Sequence, residues 1–244
     1  MSRTKAAGHW NRCASGVNSP FRPNVATTFN AVTNHIDTTI ETYDRIASDY
    51  GLTDVPELRA WKERSMDLFA SLLPGVRVLV PGCGHGRDSA YLRRHGLSVV
   101  STDLSSSMLR EARAYDPLGE YVLADMRAIS DVPGDFDGIF ANGCLYHLTK
   151  QELVSFLLDV QQKLTPCGIL YVSMKLGSGS EIKSVPGTEY PGGEMSRTTL
   201  AGPRFYQYYQ HDELLSLFSA FELVEWKPLT AQREGVNEYW LRVS

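Results

Sequence analysis

Residues 76–88 read VRVLVPGCGHGRD: an apolar run of strand character breaks into three closely spaced glycines, and a helical pattern resumes directly after them. Glycine carries no Cβ and tolerates positive φ, so the backbone can turn tightly and lie against a bound molecule. Such a string is weak evidence alone, because glycine turns join many strands to helices. Its weight comes from Asp103, about 20 residues further on at the end of the next apolar run, where nucleotide-binding βα turns place a carboxylate.

Around this turn the chain alternates. Strands are expected at 76–81, 98–102, 121–124, 136–141 and 169–174, with helices between most of them. Ser105 is placed to cap the helix SSSMLREAR, and Thr149 with Glu152 forms a capping box ahead of an apolar face of Leu153, Phe156, Leu157, Val160 and Leu164. Serial βα units imply a parallel sheet with right-handed crossovers. Two terminal strands, 221–227 and 237–243, have no helix between them and should pair antiparallel. Two helical patterns precede the first strand, from about residue 38 and over 56–73. Residues 1–38 show no sustained period and are expected to form a flexible N-terminal arm, leaving 39–244 as the folded domain, with 39–74 as N-terminal lid helices. Residues 175–204 are rich in glycine and proline without an apolar period, and read as a long excursion that ends in the aromatic run FYQYY.

Composition narrows the function classes. With 43% hydrophobic and 21% charged residues, a chain of 244 residues can bury a sizeable core. A net charge of −4 provides no global field for nucleic acid or anionic lipid. No apolar run of membrane-spanning length occurs, and the N-terminus lacks an apolar leader-like stretch. The four cysteines are scattered with no C-x-x-C pair, so neither a metal site nor a disulfide framework is expected, and the cytoplasm is the expected location.

In a doubly wound sheet, ligands sit beyond the carboxyl ends of the strands where strand order reverses. Asp103, Asp125 and Asn142 all fall on that rim. An ionised carboxylate only accepts hydrogen bonds, so Asp103 can receive both hydroxyls of a ribose. Asp125 can accept from an exocyclic amine, with Met126 as an apolar wall. Nothing in the chain is dedicated to phosphates: there is no G-x-x-x-x-G-K-[ST]. The set suits an adenosine. Competing readings are a helix cap for Asp103 and a surface carboxylate for Asp125.

The succession VLVPGCGHG, VVSTDLSSSML, VLADMR, FDGIFANGCLYHL and LTPCGILYVSMK resembles the motifs of class I S-adenosylmethionine-dependent methyltransferases over about residues 40–244. The resemblance implies an α/β, Rossmann-like three-layer sandwich whose seven-stranded, mostly parallel sheet has an antiparallel last strand. It implies S-adenosyl-L-methionine as cofactor, with Gly82, Cys83, Gly84 and Gly86 along its methionine portion. Asp103 would hold the ribose, Leu104 and Met108 would border the adenine, Asp125 and Met126 would bind it, and Asn142 would lie near the sulfonium. Tyr43, in YDRIASDY, would reach the cofactor carboxylate from the lid, or else pack as an amphipathic-helix tyrosine. Val80 stands where many members carry an acidic residue. The VPGCG form is similar to thiopurine- and thiol-methyltransferase-like members, and Asp88 is the candidate to take over the missing carboxylate's role. In the small bacterial methyltransferases that the C-terminal third resembles, the segment corresponding to 175–210 covers the substrate.

Outside the resemblance, His147 lies just beyond the fourth strand and is a candidate general base, its ordinary pKa being near 6.5; ordering the loop is the other reading. Lys175 and Arg204 can pair with an acidic acceptor, and Tyr206 in FYQYY can form an aromatic wall or an edge strand. The function these readings point to is methyl transfer to an oxygen or nitrogen of a small molecule, with RNA methylation or a non-catalytic cofactor-binding role as alternatives.

Overall fold

The computed structural model describes residues 33–51, 56–185, 202–229 and 235–243. Helices α1 (Thr33–Tyr50) and α2 (Pro56–Leu72) precede strand β1 (Arg77–Pro81). There follow α3 (Arg87–Arg94), β2 (Ser98–Asp103), α4 (Ser106–Tyr115), β3 (Glu120–Leu123), β4 (Phe136–Ala141), α5 (Lys150–Lys163) and β5 (Leu164–Lys175). The chain continues with β6 (Ser180–Val185), β7 (Gly202–Gln207), α6 (His211–Leu217), β8 (Glu222–Leu229) and β9 (Val236–Arg242).

Seven strands form one sheet in the order β3-β2-β1-β4-β5-β9-β8. Strands β1 to β5 pair parallel, while β9 runs antiparallel to both β5 and β8. The expected Rossmann-like sandwich with an antiparallel last strand is what the chain adopts. Strand order reverses between β1 and β4, so the rim at Pro81 and Ala141 is where the sheet opens.

Both faces of the sheet are covered, as the near-continuous apolar strands require. Successive residues of β1 point to opposite sides: Leu79 joins Phe156, Val160 and Leu214 from α5 and α6, whereas Val78 and Val80 join Met66, Phe69 and Leu92 from α2 and α3. On the second face Phe140 stacks on Tyr171 with centroids 4.2 Å apart, and Trp240 meets Tyr171 edge-on at 5.1 Å. A buried carboxylate fastens α2 there: Glu238 of β9 accepts from Trp61 Nε1 at 3.1 Å and from the Tyr171 hydroxyl. Burial raises the Glu238 pKa, and those donors oppose the rise.

Local signals decide most element ends. Ser105 caps α4 by accepting from the Met108 amide, and Thr149 with Glu152 makes the capping box of α5. Gly96, at φ 90°, follows the end of α3.

Two expectations change. Helix α1 starts at Thr33, inside the stretch read as an arm; residues 1–32 lie outside the described residues. The excursion after β5 is not without structure, because β6 pairs antiparallel with β7 from Ser180–Gln207 to Val185–Gly202. FYQYY therefore begins within a strand, and 186–201 lie outside the described residues. Cys83 and Cys144 are free thiols.

Gly86 ends the glycine turn and caps α3 at φ 82°. A Cβ at this position would stand 2.9 Å from Ala112 Cβ and 2.8 Å from the Tyr121 hydroxyl, so the bare α-carbon sets how closely the turn approaches α4 and β3. Gly86→Ala is expected to destabilise the fold by roughly 2–4 kcal/mol, from left-handed backbone strain plus overpacking. A urea melt reads this as a lower midpoint, and an unchanged midpoint would show that α3 and α4 separate at no cost.

Candidate active site

A cleft of about 1120 Å³, measured out to solvent, opens at the strand-order reversal, under α1 and beside the glycine turn. Its centre is Asp103 at the end of β2. One carboxylate oxygen accepts the Gly84 amide at 2.8 Å and the other the Ser105 amide at 2.9 Å. Burial raises the Asp103 pKa, and the backbone amides pull against it. Asp103 lines the cleft, and an ionised carboxylate has more acceptor sites than these two amides occupy. Ser105, not Asp103, is the helix cap.

Gly82 and Cys83 line the cleft together with Gly84. Gly82, at φ 60°, has no room for a side chain, since a Cβ would come within 2.5 Å of Cys144 Cβ. Gly86 is behind this wall, packed on Ala112, and does not line the cleft.

On the β3 side stand Leu104, Met108 and Met126, an apolar slot bordered by Asp125. Asp125 is not a lone surface carboxylate. It accepts from the Arg127 amide and, at 2.8 and 2.6 Å, from that guanidinium, which also reaches Glu152 at 3.1 Å.

On the β4 side, Asn142 donates to Asp88 at 2.8 Å and accepts from Ser173, whose hydroxyl in turn accepts from the Gly143 amide. Asp88 is buried and, like Val80, lines the cleft. Although burial opposes ionisation, Arg87, Lys62 and the Asn142 donor hold the Asp88 carboxyl well below the usual carboxylate range. Lys62 is 6% exposed and lines the cleft. Asp88 and Lys62 thus offer one negative and one positive charge at the same end.

The roof is α1. Asp44 accepts from the Ser105 hydroxyl at 2.6 Å and the Ser107 amide at 3.0 Å, which latches α1 to the start of α4. Tyr43 lines the cleft, and its hydroxyl lies 2.9 Å from His147 Nε2. His147 Nδ1 is 2.6 Å from the Phe205 carbonyl oxygen. A carbonyl only accepts, so Nδ1 carries the proton and Nε2 accepts from Tyr43. Burial chiefly, with the cations Arg204 and Lys175 adding to it, lowers the His147 pKa to about 3, overcoming the Phe205 hydrogen bond. This lowering favours the neutral ring, whose Nε2 lone pair is engaged by Tyr43.

Lys175, Arg204 and Tyr206 form the layer directly behind this wall and do not themselves line the cleft. Tyr206 stacks on Tyr146 at 5.7 Å, Lys175 Nζ is 4.0 Å from the Tyr206 ring centroid, and the Arg204 guanidinium is 5.4 Å from that of Tyr43. Residues that sequence reasoning passed over include Lys62, Thr39, Tyr50, His85 and Tyr146, all of which line the cleft. Tyr146 adjoins His147 in the motif CLYHL and was open to inference, but a lysine on an amphipathic helix ordinarily reads as solvated.

The residues present fit S-adenosylmethionine: an acceptor-only carboxylate, an apolar slot beside it, and a charge pair suited to an amino-acid zwitterion. Among the described residues no group of side chains is arranged to hold a metal, and no helix is long and apolar enough to cross a membrane.

A family model described as a methyltransferase domain matches residues 78–168. The malonyl-[acyl-carrier protein] O-methyltransferase of Salmonella typhimurium is 36% identical over 145 residues, covering 58% of this chain and 55% of that protein. The chain spans about half the length of the curated relatives it matches. Among solved structures, the CcbJ methyltransferase from Streptomyces caelestis aligns with a TM-score of 0.65 at 19% identity, over 85% of this chain and 99% of that one. The 1,6-didemethyltoxoflavin-N1-methyltransferase of Burkholderia thailandensis, with S-adenosylhomocysteine bound, aligns at 0.62 with 20% identity, over 90% of this chain and 93% of that one. The matched segment runs from β1 into β5 and carries Asp103, Asp125 and Asn142, so the similarity to methyltransferase domains falls on the residues that line the cleft.

Proposed function

We propose that the protein transfers the methyl group of S-adenosylmethionine to an oxygen or nitrogen of a small-molecule acceptor, and that it acts in the cytoplasm. The observation that carries this reading is the Asp103 carboxylate, held by the Gly84 and Ser105 amides on a cleft that continues into an aromatic wall. In this reading Asp103 accepts the ribose hydroxyls, Leu104, Met108, Asp125 and Met126 border the adenine, and Gly82, Cys83 and Gly84 flank the methionine chain. Asp88, with Asn142 and Lys62, meets the zwitterionic end.

When bound, the cofactor supplies a methyl group already activated on a sulfonium. The protein's remaining task is to hold an acceptor lone pair in line, within about 3–3.5 Å, and to exclude water. Tyr43, Tyr146 and His147 supply the wall for that placement. Neutral His147, bonded at both nitrogens, is poorly suited to take a proton from a hydroxyl. We assign it the positioning of Tyr43, and we assign the acceptor to groups with an available lone pair at neutral pH, such as a carboxylate or an amine. Lys175 and Arg204 favour an acidic acceptor, because their charge reaches the cleft through only one layer of tyrosine rings. The net charge of −4 supports a small molecule over a nucleic acid.

The test is release of S-adenosylhomocysteine from S-adenosylmethionine across a panel of small carboxylates, amines, alcohols and thiols. Turnover is expected with carboxylates or amines; turnover confined to unactivated alcohols would overturn the assignment of His147.

The depressed His147 pKa has a consequence for stability. Between pH 6.5 and about 3 the unfolded chain binds a proton at this residue and the folded chain does not. The contribution to stability is complete above pH 6.5 and is lost as pH falls toward 3. Thermal melts of the wild type and of His147→Gln over that window are expected to show a steeper loss for the wild type. Parallel curves would mean that the folded-state ring protonates normally.

A further inference from the structure

A second cleft, of about 510 Å³, lies on the outer side of the glycine turn, between α2 and α3 and the end of α4. Four of its lining residues are cationic: Arg59 and Lys62 from α2, Arg87 and Arg94 from α3. The one carboxylate among the lining residues is Glu63. Carboxylates stand behind this lining, Asp88 in the field of Lys62 and Arg87 and Asp116 in that of Arg94, so the cations are held in place rather than massed without counter-charge. Two aromatic rings complete the walls. Tyr91 donates its hydroxyl to Asp67 at 2.8 Å, and the Arg94 guanidinium lies 5.6 Å from the Tyr115 ring centroid. Part of the positive charge is offset at the inner end, where Arg87 Nε binds Asp88 at 3.0 Å. Arg59 and Arg94 are exposed and belong to this cleft alone, whereas Lys62 and Arg87 also line the first.

We propose that this cleft binds a small, multiply charged anion of the phosphate or pyrophosphate class, carried by a free metabolite or by the phosphate-bearing end of a larger one. Guanidinium forks match phosphate oxygens two at a time, and an ammonium adds a point charge. The cationic side chains are confined to one short cleft between α2, α3 and the end of α4, which favours a small anion over an extended nucleic-acid backbone. Because Lys62 and Arg87 line both clefts, an anion bound here is expected to alter cofactor affinity, and the cofactor to alter anion affinity by the same factor. The proposal rests on the second cleft and does not require the methyl-transfer reading.

The test is calorimetric titration of inorganic pyrophosphate into the full chain at low ionic strength, with and without saturating S-adenosylhomocysteine. One pyrophosphate per chain is expected in both conditions, with affinity falling as salt is added. The double variant Arg59→Gln/Arg94→Gln, whose positions lie outside the first cleft, is expected to lose at least about tenfold in pyrophosphate affinity while still binding S-adenosylhomocysteine. Unchanged pyrophosphate affinity in the variant would overturn the site. Mutually exclusive binding of the two ligands would place the anion in the first cleft, with the same consequence. A bulk tRNA that binds more tightly than pyrophosphate and weakens in the same variant would reassign the cleft to a nucleic-acid backbone. Pyrophosphate that binds where a phosphate monoester does not would assign the site to a free diphosphate; equal binding would assign it to a terminal phosphate.

Discussion

The Asp103 carboxylate ties the end of β2 to two separate pieces of backbone, the glycine turn at Gly84 and the entry to α4 at Ser105. An ionised group in so buried a place is costly unless amides compensate it, and here the amides of the turn and of the helix entry do so. The same two bonds set the spacing between the turn and α4. Ser105, held there, has its side chain aligned to cap α4 and to receive Asp44 from α1. Floor, rim and roof of the cleft therefore meet at one carboxylate, which still faces the space where a ligand would lie.

The roof has a second set of attachments, to β7. Thr42 donates to the Pro203 carbonyl at 2.7 Å, and Thr39 accepts from the Phe205 amide at 3.0 Å. The Phe205 carbonyl then receives the His147 proton, and His147 receives that of Tyr43. Helix α1, β7 and the loop after β4 are joined by this chain of hydrogen bonds, while Ile46 and Ala47 of α1 pack on Met108 of α4. The main core, centred on β1, β4 and β5, contains no residue of α1. A buried, neutral histidine is the electrical consequence, since the layers that orient it also remove it from water.

The strand and helix periods, the capping box of Thr149 and Glu152, and the antiparallel close of the sheet were legible in the chain because each is written in contiguous residues. Asp103, Asp125 and Asn142 were legible for a related reason: strand ends in a parallel sheet share one rim. What was not legible depends on distant partners. Segment 175–204 read only as an excursion because glycines and prolines interrupt any apolar period, and β6 is defined there by its pairing with β7. Helix α1 begins earlier than its apolar pattern because His35 and Ile36 gain burial only by tertiary packing, His35 against Phe205 of β7. His147 could not be assigned its pKa from CLYHL, since the carbonyl that orients it belongs to Phe205. Gly86 shared a string with Gly82 and Gly84, but the neighbour that requires it is Ala112, not the cleft.

The most direct measurement is binding of S-adenosylhomocysteine to Asp103→Ala by calorimetry, with thermal melts taken in parallel. Hydrogen bonds to a charged group contribute about 1.5–3 kcal/mol each, so affinity is expected to fall by tenfold or more in protein that remains folded. Folded Asp103→Ala with undiminished affinity would contradict the assignment of the cleft, because the carboxylate at its centre would then be a structural tie and nothing else.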